Sequence, residues 1–243
     1  MAAQYSNKHL AEVNCGFQFV AETVPWDSIY FGQFYDRISP LGFTERQERK
    51  GIQINFQGNL MDFSKPSIAS SNVEDQVIFS NGEKGWAVMI GKNRISFHIV
   101  KNYGGWDTLT NGIMKPILKE YQGLGLGNGS RNCSVVYLNR FTKAVSEKLS
   151  DFFTIITSLE PKFGVETNTL VQRIISNEKN LLIAKLNAMV IQQTQNITFE
   201  CGAICTNQEC MTSTDLIFQA NQTHGPIKNF FEAIITDKLR KEL

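Results

Sequence analysis

Two segments of this chain have residue types that could do chemistry by their spacing alone. Gly123-Leu124-Gly125-Leu126-Gly127-Asn128-Gly129 has the glycine density of a phosphate-cradling loop. A phosphate site needs strand, glycine turn, then helix, because the helix N-terminus holds the anion. Here a helical pattern precedes the glycines and a strand pattern follows, and no Lys-Ser/Thr pair completes a P-loop. The segment reads as a flexible connector. Cys201, Cys205 and Cys210 suggest zinc, but they lack a CxxC knuckle and a nearby histidine, and a structural site takes four ligands. Cys201 and Cys205 also continue the alternating series Ile197, Phe199, Cys201, Ala203, Cys205, as small buried residues of a strand would. We therefore expect no metal and no cofactor.

The three histidines, His9, His98 and His224, form no triad or metal motif in the linear sequence. His98 alternates with Phe97 and Ile99 and should point away from a core; His224 precedes a helix and reads as a capping or packing residue. The run Glu45-Arg46-Gln47-Glu48-Arg49-Lys50 has the mixed charge of a solvated strand. GxSxG, HExxH and paired-carboxylate motifs are missing, though a site assembled from distant positions leaves no local trace.

The elements that would position such residues follow from periodicity. Alternation predicts strands over 15–23, 52–57, 73–80, 84–91 and about 95–99, with a hairpin turn at Asn81-Gly82. Helical spacing predicts helices opening at Pro25 and running over about 105–121, the second kinked at Pro116. Beyond the glycines, the pattern predicts a strand at 134–141, a helix at 144–157, strands at 163–176, 180–192, 196–206 and 211–220, and a helix from Pro226 to about Arg240. Each half thus spells strand, helix, four strands, helix. Tyr103-Gly104 before one closing helix matches His224-Gly225 before the other. The reading is an α+β fold of two tandem βαβ4α repeats, 1–122 and 130–243, joined by the 123–129 connector. The repeats share an antiparallel sheet, as in the TATA-box-binding-protein fold.

Composition bounds the partners. The chain has 243 residues, 42% hydrophobic and 19% charged, with a net charge of +1. Near neutrality gives no bulk attraction to duplex DNA or an anionic membrane. The 17 phenylalanines should mostly be core. The N-terminus has no apolar signal region, no run is long enough to span a bilayer, and the five cysteines are odd in number; the expectation is a cytoplasmic protein with reduced thiols.

With helices on one face, the opposite sheet face should carry Gln53, Asn55, Gln57, His98, Tyr137, Asn139, Lys185 and Asn187, with Arg140 beside them on the other parity. Tyr137, Asn139, Arg140, His98, Lys185 and Asn187 are the expected ligand- or partner-binding residues. No catalytic residue is assigned.

Three segments carry a family resemblance: Trp86 through Tyr103-Gly104-Gly105-Trp106, the strand Val135-Val136-Tyr137-Leu138-Asn139-Arg140, and His224-Gly225-Pro226-Ile227-Lys228-Asn229-Phe230-Phe231. Together they resemble a sporadically distributed family of uncharacterised prokaryotic proteins with an Arg-Tyr-Ile-Asn strand signature and a terminal His-x-x-Ile-x-x-x-Phe helix. That family's Arg position is Val136 here, so its role does not carry over. The resemblance implies a non-catalytic recognition or accessory protein of a defence or mobile-element system. Its partner would be another protein or a second copy of the chain, with nucleic acid or nucleotide as alternatives. An enzyme acting on nucleotides or nucleic acid is the second reading, a structural subunit the third.

Overall fold

The computed structural model describes residues 9–20, 27–49, 52–57, 67–72, 76–127, 129–155, 168–177, 180–206 and 212–243. The fold is α+β. Its strands are β1 Leu10–Phe19, β2 Glu45–Arg49, β3 Ile52–Gln57, β4 Ser67–Asn72, β5 Gln76–Asn81, β6 Trp86–Gly91, β7 Arg94–Ile99, β8 Ser130–Ala144, β9 Asn168–Asn177, β10 Asn180–Ile191 and β11 Thr194–Thr206. The helices are α1 Ile29–Ile38, α2 Lys115–Gln122, α3 Ser213–His224, α4 Ile227–Ile234 and α5 Asp237–Glu242.

Nine strands form one sheet in the order β2-β5-β6-β7-β1-β8-β11-β10-β9, while β3 and β4 pair separately. Every pairing in both sheets is antiparallel. The seam is β1 on β8, with Cys15 opposite Val135 and Phe17 opposite Cys133. It runs the two halves of the chain into a single sheet.

Alternation decides which side is buried. Val13, Cys15, Phe17 and Phe19 of β1 are buried, as are Ile95, Phe97 and Ile99 of β7 and Ala184, Leu186 and Ala188 of β10. These residues share one face. The helices cover that face: Phe31, Phe34 and Ile38 of α1, Ile117 and Leu118 of α2, and Ile227, Phe230 and Ile234 of α4 belong to the same core. Each fully buried side chain of this size contributes roughly 1.5–3 kcal/mol. Local signals fix the ends of the elements. The Asp27 carboxylate accepts the Ile29 N–H at 3.0 Å where α1 begins, and Asn93 takes a left-handed φ of 59° in the two-residue turn between β6 and β7.

Several expected elements come out differently. Residues 211–220 do not form a strand: within the described part, 213–224 are helix α3. Thr212 and Asp215 form a capping box, Asp215 N–H donating to Thr212 Oγ1 at 3.2 Å and Thr212 N–H to Asp215 Oδ2 at 3.0 Å. The buried stripe of α3 is Leu216, Gln219, Ala220 and Thr223, so two of its core positions are polar and the helical period is masked. Their oxygens are hydrogen-bonded there, Gln219 Oε1 accepting from Ser130 Oγ at 2.9 Å and Thr223 Oγ1 donating to Gln219 O at 2.8 Å.

The expected helix at 144–157 is absent over its described part, which has a turn and a short 3-10 segment, Leu149–Asp151. The Gln195 amide donates to the carbonyls of Ala144, Val145 and Glu147 at 3.2, 3.3 and 2.7 Å, giving them partners that a helix would otherwise supply. The expected helix over about 105–121 is present, helical through residues 106–122, with a π-helical segment, Thr108–Met114, running directly into α2 just before Pro116. Strand β3 pairs with β4, outside the nine-stranded sheet, so Gln53, Asn55 and Gln57 do not extend its open face.

Candidate functional site

The face of the nine-stranded sheet opposite the core carries the alternate residues of each strand. Along β7 these are Arg94, Ser96 and His98; along β1, Gln18, Gly16, Asn14 and Glu12. Register places Asn14 beside His98 and Glu12 beside Leu138 of β8. On this face Glu12, His98 and Ser96 form a hydrogen-bonded row. His98 Nδ1 lies 2.6 Å from Glu12 Oε1, and His98 Nε2 lies 2.8 Å from Ser96 Oγ.

The tautomer follows from the partners. A carboxylate only accepts, so Nδ1 carries the ring proton and Nε2 is left to accept from the Ser96 hydroxyl. The side chains of His98 and Glu12 are 22% and 27% exposed, which puts the row between core and solvent. The hydrogen bond from His98 holds the Glu12 carboxyl below its usual range against the opposing effect of burial, and Asn14 and Arg140 add to it. The row was missed in the sequence because Glu12 and His98 are 86 residues apart; only the β1–β7 pairing joins them.

The expected site residues divide between the two faces. His98, Arg140, Lys185 and Asn187 lie on the open face, with Lys185 Nζ 3.9 Å from Glu200 Oε1 across the β10–β11 pair. Tyr137 and Asn139 do not. Tyr137 stands opposite Cys201 and Val13, both fully buried, and Asn139 is 8% exposed, so both point to the helix-covered side. The parity of β8 runs against the usual pattern, with Val136 and Leu138 on the open face and Tyr137 and Asn139 behind it.

Behind the sheet, residues of the three segments quoted for the family resemblance meet. Tyr103 and Tyr137 share a hydrogen bond between hydroxyls at 3.0 Å, and their rings pack edge-on at 6.0 Å. Trp106 stacks on His224 at 4.1 Å and 6°, and its Nε1 donates to Asn221 Oδ1 at 2.6 Å. His224 lies 5.9 Å from the Tyr137 ring. Burial raises the Tyr103 and Tyr137 hydroxyls above the usual phenol range. An open cavity of about 230 Å³ beside this cluster is lined by Leu10, Ile99, Val100, Lys101, Asn102 and Tyr103. The cluster is a packing junction between β8, the loop after β7 and the end of α3.

Burial pushes the His224 ring below its ordinary pKa. Because the folded value lies below the unfolded one, the unfolded chain takes up the proton first as pH falls. Stability associated with His224 is therefore present above about pH 6.5 and declines as acid is added, until the folded ring also protonates. The melting temperature should fall from pH 7.5 to 5.5, and His224→Gln should flatten that fall. An equally steep fall in the variant would assign the pH dependence to another group.

Cys15, Cys133 and Cys201 are buried free thiols and Cys205 is buried as well, and burial pushes Cys201 up to about 12. Cys210 lies outside the described residues. Among the described residues no group of three His, Cys, Asp or Glu is placed to hold a metal ion, and no helix is long and apolar enough to cross a membrane.

No family model, curated protein or solved structure matches the chain.

Proposed function

We propose that this protein is a recognition or accessory module that binds a ligand or partner through the open face of its nine-stranded sheet. The observation that carries the reading is the half-buried polar row Glu12–His98–Ser96, already ordered by its own hydrogen bonds. Ordered polar groups beside apolar ones bind with little further loss of side-chain freedom. Val136, Leu138, Ile183 and Ile204 supply apolar surface on the same face, and Arg140 and Lys185 supply charge. The partner is another protein or a second copy of the chain, with nucleic acid or nucleotide as the alternative, and the setting is a prokaryotic defence or mobile-element system in the cytoplasm.

The strand order supports the tandem-repeat reading. On either side of the β1–β8 seam, β7 answers to β11, β6 to β10 and β5 to β9. Two such halves, helices on one side, would make the saddle of the TATA-box-binding-protein fold, with the bound species on the side away from the helices. Helix α3, and the absence of a helix among the described residues just after β8, are departures within the second repeat.

The test is to isolate the native protein from its source cells and identify what comes with it, by mass spectrometry for proteins and by absorbance ratio and extraction for nucleotides. Arg140 is exposed, and Lys185 pairs loosely with Glu200 on the surface, a contact worth about 1 kcal/mol or less. The Arg140→Ala, Lys185→Ala double variant should therefore melt within a few degrees of wild type and lose the copurifying species. Full retention of that species would move the binding surface elsewhere.

A further inference from the structure

We propose that Ser96 is a nucleophile activated by His98 and oriented through Glu12, and that the open face hydrolyses an ester bearing a negative charge. The inference rests on the reading of that face as the working face and adds a reaction to it. Its geometry is that of nucleophile, base and orienter: Ser96 Oγ at 2.8 Å from His98 Nε2, and Glu12 Oε1 at 2.6 Å from His98 Nδ1. Both contacts are within proton-transfer reach, and the carboxylate fixes the tautomer that lets Nε2 act as base. The row is half-buried, wet enough for substrate to enter and dry enough to strengthen its charges.

A strand imposes one constraint. The backbone N–H groups around Ser96 are committed to the β1–β7 and β6–β7 ladders, so the oxyanion must be stabilised by side chains. Arg94, on the same face of β7 two residues before Ser96, packs over Gly91 beside Gln76 of β5. Arg140 lies at the opposite end of the row, where it acts on Glu12 through its charge. Its exposed guanidinium selects a substrate with an anionic group at that end, since Arg presents paired donors to carboxylate and phosphate.

The reaction balances without a cofactor. Ser96 Oγ adds to the ester carbonyl carbon as its proton passes to His98 Nε2. The carbon–oxygen bond to the leaving alcohol then breaks, and that oxygen takes the proton from His98. Water adds to the acyl-serine in the same way, its proton passing to Nε2 and on to Ser96 Oγ, which releases the acid. Ser96 and His98 touch the reacting atoms and are the catalytic residues; Glu12 is a positioning residue.

A fluorophosphonate probe tests this with the full chain. Attack by Ser96 forms an oxygen–phosphorus bond and expels fluoride, leaving a stable adduct that peptide mass spectrometry locates. Wild type should label at Ser96. Ser96→Ala, which removes one oxygen, should not label, and His98→Gln should label about 100-fold more slowly. Glu12→Gln should slow labelling and displace its pH profile, which a purely structural role would not do. A folded wild type left unlabelled, or one in which Ser96 labels as fast with His98→Gln as without it, overturns the proposal. Copurification fails or succeeds independently of labelling, so the binding reading and the hydrolytic one can be refuted separately.

Discussion

Replacing Gly202 by valine should destabilise the protein by about 3 kcal/mol, because there is no room for a side chain at the middle of β11. A Cβ built on Gly202 would lie 2.5 Å from the Val135 carbonyl oxygen and 3.0 Å from Val136 Cγ2. The first of these is backbone and cannot swing away. Gly202 pairs with Val136 on one side and Ile183 on the other, so any shift spreads through three strands near the seam. Glycine within a strand marks such a close approach. In a chain of this size the loss corresponds to roughly 6–12 °C in melting temperature. Chemical denaturation of Gly202→Val and Gly202→Ala measures it, with alanine intermediate. An unchanged midpoint would mean that β8 and β11 are further apart than described.

Phe34→Ala should cost about 3–5 kcal/mol. Phe34 is fully buried, with its ring centred 5.6 Å from Phe79 and 5.8 Å from Tyr121 in edge-on contacts. It links α1 to β5 and α2 at once, so truncation removes apolar area, opens a cavity and breaks two ring pairs. Those pairs are worth roughly 0.5–1.5 kcal/mol each beyond area. Phe34→Ala and Phe79→Ala should also be non-additive, since they share one contact. A loss below about 1 kcal/mol would imply that α1 does not dock on the sheet.

These substitutions probe parts of the fold that were legible to different degrees. Strands with strict alternation, such as Ile95-Ser96-Phe97-His98-Ile99, could be read directly, because one register satisfies both faces. Helix α3 could not. Gln219 and Thr223 hold core positions there, and their burial is tolerable only through hydrogen bonds that a linear reading does not see. Strand β8 was readable as a strand but not for its parity. Tyr137 can face inward because Tyr103 satisfies its hydroxyl, and Val136 and Leu138 can face outward on a surface that is already half-buried. Of the candidate site, His98 and its orientation were visible, and Ser96 shares its face by simple alternation. Glu12 joins them only when β1 pairs with β7.

The seam between β1 and β8 has a consequence for how the chain is made. Strand β1 leaves the ribosome before every other strand of the sheet, yet its partner across Cys15 and Val135 is encoded more than a hundred residues later. Until β8 emerges, β1 can pair only with β7, and its second edge exposes unsatisfied N–H and C=O groups beside Phe17 and Phe19. Non-local pairing of this kind is slow, because the chain must close a long loop before any contact compensates. The nascent first half therefore carries a bare strand edge during synthesis, the form most prone to join another copy of itself. Completing the seam both finishes the sheet and removes that edge.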